Sequence, residues 1–416
     1  MKLAFVVPRY GKDVLGGAEF IVRQFAEHLP QPEFEVTVLT TCARDFGTRV
    51  NVYPAGVSCI NGVQIRRFPI DPRFCDASRS HELTGKILQG FTLTVDEEYE
   101  WIDHNIHSPA LYAYIARHGR DYDLLFFAPY LFGITFYGMT LCPERSVLWP
   151  CLHDEAFAYF LQTRLMLESG CGVMFNSEPE KALAQEKLGI RHPGAYVVGG
   201  GIVGHPADPA RFRAQLGLSD PFILYAGRLD PFKNVVELLT FFIEYKRQQP
   251  GPLKLVVMGE GNIPIPDHPD IIPIGFQDEQ RKLDVFAAAT ALVQPSLMES
   301  FSFVIMESWL VGVPVIVHGD CAVTRYHVLR SHGGLYYTGF EEFAGVLDWL
   351  LTHPVRRAQM GQLGRAYVQR EYNWGGVIDH FREALNLWQT LSRKVGDASD
   401  SREDIVKCKY PSTQNA

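Results

Sequence analysis

The sequence predicts an α/β protein built from two doubly wound domains in tandem. Two series of short apolar runs alternate with segments whose apolar residues recur every three or four positions, which is typical of strands that alternate with helices. Each predicted strand is apolar throughout, as in parallel sheets covered by helices on both faces. The chain has 416 residues, 47% of them hydrophobic, and at ~150 residues per domain this length fits two or three domains.

The first series fills the N-terminal half of the chain. A strand at 3–7 leads through a glycine-rich loop into a helix at 18–29, whose apolar residues Ile21, Phe25 and Leu29 are spaced by four. The strands predicted in this half cover residues 3–7, 35–40, 63–68, 124–127, 147–148 and 172–175. Residues 69–106 show no clear period and are assigned loops and helices only.

The second series begins after Pro221. Its predicted strands cover residues 222–226, 253–258, 271–274, 291–294 and 314–317, and its helices cover 235–247, 278–289 and 303–310. Residues 199–209 are dense in glycine and proline and are interpreted as the linker. These patterns predict a first domain at 1–200, a second at 201–374, a helix at 375–394, and a polar, aperiodic and therefore mobile tail at 395–416.

Composition argues against several classes of protein. Basic residues number 39 and acidic residues 47, a net charge of -8, whereas nucleic-acid binders usually carry a basic surplus, so no nucleic-acid partner is expected. The eight cysteines form no CxxC pair and no zinc-ligand spacing with histidine, so no structural metal is expected. They are interpreted as reduced, buried thiols of a cytoplasmic protein. Peripheral association with the cytoplasmic face of a membrane is left open.

Three further patterns are interpreted as structural. The uncharged run 124–143 is long enough to span a bilayer, but a proline and two glycines interrupt it, so it is predicted to form a buried strand, a turn and a helix. A GxGxxG pattern at 199–204 lacks the helix that a dinucleotide motif needs, because prolines such as Pro206 follow it. Asp121 and Asp123 precede a strand, so this DxD pattern lies at the wrong end for a metal-bound sugar nucleotide.

Residues suited to a phosphorylated ligand follow the first strand of the second series. Gly227 to Asn234 lies between a strand end and a helix start and carries Arg228 and Lys233, five positions apart. Arginine offers a bidentate fork and lysine a point charge. The helix N-terminus adds partial positive charge at the same place. The segment therefore predicts a site for a phosphate or diphosphate.

A second cluster follows a later strand. Glu299 lies in a loop and Glu307 in the first two turns of the next helix, where carboxylates can accept hydrogen bonds from sugar and ribose hydroxyls. Backbone amides near Ser302, Phe303 and Val304 can cap a phosphate. Because no helix fixes the backbone at Glu299, the position of its side chain is expected to depend on the bound sugar.

Glycines at two more strand ends predict the close approach of a flat ligand such as a nucleotide base. Gly259, Glu260 and Gly261 follow the strand at 253–258, and Gly275 and Phe276 follow the next one. Ligands of open α/β sheets bind at the carboxyl ends of the strands. All these residues are therefore expected at one edge of the second sheet.

The order and spacing of these motifs resemble the sugar-nucleotide glycosyltransferases of family 4, which have the GT-B fold. The matching elements are Gly227-Arg228 with Lys233, Glu299 followed eight positions later by Glu307, and Gly312-Val313-Pro314-Val315. In the first half, Gly16 and Gly17 resemble the family's glycine loop, and His153 resembles its acceptor-side histidine. Asn373-Trp374 is similar to the point where the chain crosses back to the first domain.

The resemblance implies a retaining glycosyltransferase with two Rossmann-like domains facing each other across a cleft. It implies that domain 201–374 binds a nucleotide-sugar donor, that domain 1–200 binds a saccharide or lipid-linked acceptor, and that helix 375–394 packs on the first domain. No cofactor and no metal are expected. The implied roles are stabilisation of the leaving nucleoside diphosphate by Arg228, Lys233 and the Gly17 amide, binding of the sugar hydroxyls by Glu299 and of the ribose by Glu307, and contact of His153 with the sugar and the attacking hydroxyl.

Two departures from the family pattern concern donor recognition. Ser302 stands where the family most often has glycine, and residues 199–202 stand where it often has Pro-Asn-Gly-Val. Other GT-B chemistries, a nucleotide-sugar epimerase or a phosphorylase, remain alternatives at this stage. So does a subunit that binds a sugar nucleotide without turnover.

Overall fold

The chain folds into two compact units. In the computed structural model, unit 1 comprises residues 1–198 and 378–416, and unit 2 comprises residues 199–377. The structure describes residues 1–14, 16–45, 50–74 and 76–409, and side chains are described for these residues except Phe74, Ala77 and 395–409.

Unit 1 is built on an eight-stranded sheet with the strand order β3-β4-β2-β1-β5-β6-β7-β8. All neighbouring strands are parallel except β3 and β4. The strands are β1 (Lys2–Val7), β2 (Glu35–Thr41), β3 (Gly56–Ile60), β4 (Val63–Phe68), β5 (Leu124–Phe127), β6 (Ser146–Leu148), β7 (Gly172–Phe175) and β8 (Ala195–Val197). The apolar runs read from the sequence are strands of this sheet.

The sequence-based assignment misses β3, although a local signal is present. Asn61 and Gly62 join β3 to β4, and both have positive φ, 50° and 82°. This is the two-residue hairpin turn for which Asn-Gly is the strongest short-range signal. Strand β3 is almost entirely exposed, so it lacks the apolar run by which the other strands were recognised. Cys59 lies on it and is exposed, which corrects the expectation that every cysteine is buried.

Helices cover the sheet of unit 1. They are α1 (Gly17–His28), α2 (Ala77–Leu88), α3 (Val95–Asp103), α4 (Pro109–His118), α5 (Gly133–Thr140), α6 (Leu161–Glu168) and α7 (Glu178–Ala182). Residues 69–106 contribute α2 and α3, and α3 begins with a capping box formed by Thr94 and Glu97. The uncharged run 124–143 forms β5 and α5 as predicted. Among the described helices, none combines the length and apolarity needed to cross a membrane.

Unit 2 contains a six-stranded parallel sheet with the order β11-β10-β9-β12-β13-β14. Its strands are β9 (Phe222–Ala226), β10 (Lys254–Met258), β11 (Ile271–Gly275), β12 (Ala291–Gln294), β13 (Val315–His318) and β14 (Gly334–Tyr337). Its helices are α8 (Pro209–Leu216), α9 (Val235–Gln248), α10 (Glu279–Ala288), α11 (Phe303–Leu310), α12 (Ala322–Ser331), α13 (Phe340–Thr352) and α14 (Pro354–Glu371). The sequence-based assignment misses the edge strand β14.

Two sequence patterns lie where the interpretation placed them. Residues 199–208 are not helical and α8 begins at Pro209, so the GxGxxG pattern has no helix N-terminus for a pyrophosphate. Asp123 precedes β5, and its carboxylate accepts a hydrogen bond from the backbone N–H of Lys2 at 2.8 Å. Asp121 pairs with His118 at 3.0 Å. Both carboxylates thus lie at the N-terminal end of β5.

The last helix, α15 (Trp374–Lys409), starts in unit 2 and continues in unit 1. It extends through residues 395–409, for which the sequence predicted a mobile tail, and residues 410–416 lie outside the described residues. In unit 1, Phe381 packs against Phe25 with a ring-centroid distance of 5.6 Å. Trp388 donates through Nε1 to the carbonyl of Gly194 at 2.7 Å. A Cβ at Gly172 would come within 2.1 Å of Trp388, so this strand position must be glycine.

We predict that Trp388→Ala destabilises unit 1 by ~3–5 kcal/mol, the usual cost of truncating a fully buried aromatic side chain. The indole is completely buried, and its removal leaves a cavity between α15 and the sheet. Asn386→Ala changes an exposed residue of the same helix and should cost less than ~0.5 kcal/mol. Urea unfolding of both variants measures the difference, and equal losses would contradict the packing role of α15.

Candidate functional site

The predicted ligand-binding residues of unit 2 all lie near one edge of its sheet. Gly227, Arg228 and Lys233 follow β9, Gly259 to Gly261 follow β10, Phe276 follows β11, and Glu299 follows β12, with Ser302 to Glu307 at the start of α11. The chain order reverses between β9 and β12. In open α/β sheets this reversal point, at the carboxyl ends of the strands, is where ligands bind.

Close contact of the loops after β9 and β10 explains the glycines at this edge. The N–H of Gly227 donates to the carbonyl of Met258 at 3.0 Å, and the N–H of Leu229 donates to that of Glu260 at 2.9 Å. Gly259 has a φ of 138°, and a Cβ there would lie 1.9 Å from the carbonyl oxygen of Gly227. Glycine is therefore required for the loops themselves to pack, a requirement that holds without any ligand.

Lys233 and Glu299 form the central contact of the site. Lys233 Nζ donates to Glu299 Oε1 at 2.7 Å, and the two side chains are 24% and 10% exposed. Gln294, the last residue of β12, donates through Nε2 to the same oxygen at 2.9 Å. The neighbouring Asn234 donates to the carbonyl of Pro295 at 3.3 Å. Two protein donors thus hold the Glu299 carboxylate, and the expected dependence of its position on the bound sugar stays a prediction.

Arg228 does not share this contact. Its guanidinium lies 3.7 Å from the carboxylate of Asp230, and its side chain is 59% exposed. The backbone carbonyl of Arg228 accepts a hydrogen bond from the buried Tyr225 hydroxyl at 2.6 Å. The backbone of this loop is therefore anchored while the guanidinium extends into solvent, where an anion can reach it.

Ser302 adopts a backbone conformation that favours glycine. Its φ is 73° and its ψ is 78°, in the left-handed region, and it precedes Phe303 at the start of α11 without capping the helix through its side chain. Non-glycine residues rarely adopt this conformation. The Gln294 amide lies 3.4 Å from the Ser302 hydroxyl, a contact that glycine could not make.

Glu307 lies on α11, where Lys282 from α10 donates to its Oε1 at 2.8 Å. Burial raises the pKa of the Glu307 carboxyl, and the Lys282 ammonium opposes that rise. Lys282 was not recognised from the sequence, because the contact joins two helices. Phe276 is 57% exposed, so its ring is open to stacking by a flat ligand.

In unit 1, His153 lies in the loop after β6, at the carboxyl end of the sheet. Its Nδ1 is 3.4 Å from Glu155 Oε1, and this oxygen accepts a hydrogen bond from the Tyr130 hydroxyl at 2.6 Å. Tyr130 is buried and follows β5. A carboxylate that a second strand end holds thus lies beside the histidine.

Gly16 and Gly17 lie where β1 leads into α1, which begins at Gly17. The carboxylate of Glu19, in the first turn, is buried and forms an ion pair with Arg9. A Cβ added at Gly17 would meet no heavy atom within 4 Å. The first amides of α1 therefore lie beside an ion pair of unit 1 that the sequence motifs did not reveal.

Glu180 is a further buried carboxylate near the loop that carries His153. It accepts hydrogen bonds from the backbone N–H groups of Leu152 at 2.6 Å and Asn176 at 2.5 Å. Burial raises its pKa to about 8, against the lowering effect of these backbone donors. The sequence shows only a Ser177-x-x-Glu180 pattern typical of a helix cap, so this link between two strand ends was not predicted.

Comparison with known proteins identifies relatives of both the sequence and the fold. Residues 208–367 match the family model described as glycosyl transferases group 1. D-inositol 3-phosphate glycosyltransferases of Rhodococcus erythropolis and Frankia alni are 29% and 30% identical over 202 and 208 residues, which are 43% and 44% of this chain and 45% and 50% of the relatives. The chain thus spans about half the length of the curated relatives it matches.

Solved structures match nearly the whole chain. Sucrose-phosphate synthase from Thermosynechococcus elongatus superposes with a TM-score of 0.69 at 20% identity, covering 95% of this chain and 99% of that one. Anabaena HepE, solved in complex with UDP-glucose, superposes with a TM-score of 0.65 at 17% identity, covering 95% and 100%. The chain has the GT-B fold. The predicted fold class is therefore confirmed.

Cationic side chains and carboxylates lie together at the carboxyl ends of the strands in this GT-B fold. Within the described ranges, no group of three or more His, Cys, Asp or Glu side chains is arranged to hold a metal ion. Three cationic groups at the edge of unit 2, Arg228, Lys233 and Lys282, each lie near a carboxylate. Polar contacts of this kind suit a ligand that carries both phosphate and hydroxyl groups.

Glu180 should give the stability of this GT-B protein a specific pH dependence. A carboxyl with a pKa of about 8 in the folded state and an ordinary one when unfolded stabilises the fold at low pH, and this contribution is lost as pH rises toward 8. The glutamine side chain of the variant Glu180→Gln stays neutral at every pH. The unfolding free energy of this variant should therefore fall less steeply between about pH 5 and pH 8 than that of the unsubstituted protein, by up to ~1.4 kcal/mol per pH unit. Urea unfolding across this range checks it, and identical slopes would contradict the assignment.

Proposed function

We propose that this protein is a retaining glycosyltransferase of family 4. It transfers a hexose-type sugar from a nucleoside-diphosphate sugar to a hydroxyl of a saccharide, lipid-linked or small-molecule acceptor. The observation that carries the proposal is the contact between Lys233 and Glu299 at the reversal point of unit 2. It brings together a cation suited to a diphosphate and a carboxylate suited to sugar hydroxyls. The names of the relatives, which include a GDP-mannose-dependent mannosyltransferase of Corynebacterium glutamicum, support the same class of reaction.

Unit 2 has the groups that departure of the nucleotide requires. As the bond between the anomeric carbon and the diphosphate oxygen breaks, negative charge collects on the leaving diphosphate. The Lys233 ammonium carries three N–H groups, so its bond to Glu299 leaves two for phosphate oxygens. Arg228, on the same loop, and the N-terminus of α9 add positive charge. Preorganised charge of this kind often contributes more to catalysis than any other single effect.

The two glutamates hold different parts of the donor in this proposal. Glu299, next to Lys233, accepts hydrogen bonds from the sugar hydroxyls. Glu307, which Lys282 holds on the rigid helix α11, accepts them from the ribose hydroxyls. Phe276 and the backbone around Gly259 to Gly261 contact the base, and the amides of Ser302, Phe303 and Val304 contact phosphate.

Unit 1 supplies the acceptor side. His153, which lies beside Glu155, contacts the sugar and the attacking hydroxyl. The amides of Gly16 and Gly17, at the start of α1, contact the diphosphate. The oxygen of the attacking hydroxyl bonds to the anomeric carbon, and the nucleoside diphosphate leaves with the electron pair of the broken bond. The proton of the hydroxyl passes to the oxygen of the leaving diphosphate.

The class of reaction is tested with a panel of UDP-, GDP-, ADP- and dTDP-sugars. A sugar nucleotide at 100 times its dissociation constant raises stability by ~2.7 kcal/mol, which a thermal shift detects. The donor found in this way is then incubated with and without saccharide acceptors, and the products are separated. A glycosidic product that needs the acceptor supports the proposal. Conversion of the sugar nucleotide alone indicates an epimerase, and binding without any product indicates a non-catalytic subunit.

We predict that Arg228→Ala and Lys233→Ala each reduce kcat/KM by the equivalent of ~2–4 kcal/mol, the cost of removing one preorganised contact to a developing anion. Arg247→Ala, at the exposed far end of α9, is the matched control and should transfer at the unsubstituted rate. Steady-state kinetics with the donor from the thermal screen gives the comparison. If the variant that combines Arg228→Ala and Lys233→Ala transfers sugar at the normal rate, the assignment of the donor site to unit 2 is wrong.

A second prediction concerns metal ions. Because Arg228, Lys233 and the N-terminus of α9 meet the diphosphate charge in this proposal, transfer should keep its rate, within about twofold, in excess EDTA. The measurement is the initial rate of transfer before and after EDTA is added. The rate is measured again after Mg²⁺ or Mn²⁺ is added back in excess of the EDTA. Complete loss with EDTA that either ion restores would contradict a metal-independent mechanism.

A further inference from the structure

Gln294 ends a central strand whose other residues are apolar. Strand β12 reads Ala291-Leu292-Val293-Gln294 and lies between β9 and β13. The Gln294 side chain is only 4% exposed. A buried amide is costly unless it is hydrogen-bonded, so its position at the carboxyl end of this strand calls for partners. Those partners belong to the loop that follows.

The partners of Gln294 fix which end of the amide faces the site. Nε2 donates to Glu299 Oε1 at 2.9 Å and lies 3.4 Å from the Ser302 hydroxyl. A carboxylate only accepts hydrogen bonds, so the nitrogen and not the oxygen must face Glu299. Lys233 Nζ donates to this same oxygen at 2.7 Å. Both donors therefore engage Oε1, and neither of them bonds Oε2.

We infer that Gln294 is a positioning residue that sets the orientation of the Glu299 carboxylate and thereby the recognition of the donor's sugar. With Oε1 held from two directions, the carboxylate cannot rotate freely, and Oε2 is presented to the ligand. The Lys233 side chain ends in a symmetric ammonium that tolerates several orientations, whereas the planar amide of Gln294 fixes one. This inference rests on the proposed function, because it assigns Glu299 to the sugar hydroxyls.

The first test is the variant Gln294→Leu, which gives β12 an apolar end of similar size. Isothermal titration compares the free nucleoside diphosphate with the intact donor, UDP-glucose or GDP-mannose according to which one the unsubstituted protein turns over. The nucleoside diphosphate should bind within about twofold of normal, and kcat/KM for the intact donor should fall about tenfold or more. The control for general destabilisation is Ser308→Ala. It removes a buried hydrogen bond within unit 2, from the Ser308 side chain to the Val313 carbonyl. This variant should change binding of the nucleoside diphosphate and kcat/KM for the intact donor by similar factors.

The second test is Gln294→Glu, which places two carboxylates within hydrogen-bond distance. Two like charges so close raise the pKa of one of them. When one carboxyl is protonated it can donate to the other, as the amide does, so transfer by this variant should approach normal at low pH and fall as pH rises. The groups facing the pair are Lys233, Ser302, Tyr225 and the neighbouring Cys321, and all four are unchanged in the variant. A purely structural role of Gln294 would not move the pH profile relative to the unsubstituted protein.

The outcomes separate this inference from the function on which it rests. If the unsubstituted protein transfers sugar but both Gln294 variants keep its donor affinity, rate and pH profile, the inference is wrong and the function stands. It is also wrong if Gln294→Leu weakens the free nucleoside diphosphate as much as the intact donor. If the unsubstituted protein neither binds nor transfers from any sugar nucleotide, both are wrong. Should Gln294→Leu fail to fold, the pH profile of Gln294→Glu decides alone.

Discussion

The contact between Lys233 and Glu299 depends on one topological constraint, the reversal of strand order between β9 and β12. The loops that follow these two strands begin side by side although Lys233 and Glu299 are 66 positions apart in sequence. Parallel strands direct all their carboxyl ends to one edge, and the helices that follow leave this edge in opposite directions at a reversal. The space between them is where a cation and a carboxylate can meet next to a ligand.

The packing of the neighbouring loops follows from the same constraint. The loops after β9 and β10 approach so closely that Gly259 has no room for a side chain. Their backbones are hydrogen-bonded to each other before any ligand is present. The glycines at this edge therefore have a structural role of their own. The hydrogen-bonded backbone of these loops also fixes the positions from which the Arg228 and Lys233 side chains extend. Rigid support of this kind is what electrostatic stabilisation of a leaving group needs.

Unit 1 also has a reversal of strand order with candidate site residues at the carboxyl ends of the strands, but these residues are of other chemical types. Its strand order reverses between β1 and β5, and the start of α1 follows the first of these strands while Tyr130 follows the second. Glu155 and Glu180 then tie the loop after β6 to the ends of β5 and β7. The loop that carries His153 is thus attached to two neighbouring strand ends as well as to its own.

The sequence by itself determined the two-domain α/β fold, most of the strands and the residues at their carboxyl ends. Continuous apolar runs such as Leu124–Phe127, which is buried throughout, predict strands covered on both faces, because the apolar composition of a segment is a local property of the sequence. It did not determine β3, whose exposed residues carry no apolar signal, or the partners Gln294, Lys282 and Glu180. Only the tertiary structure decided that Gln294 and Lys233 share one oxygen of Glu299 and that Ser302 takes a left-handed conformation. These contacts follow from which strands are neighbours, and strand order is a property of the whole sheet that no local pattern contains.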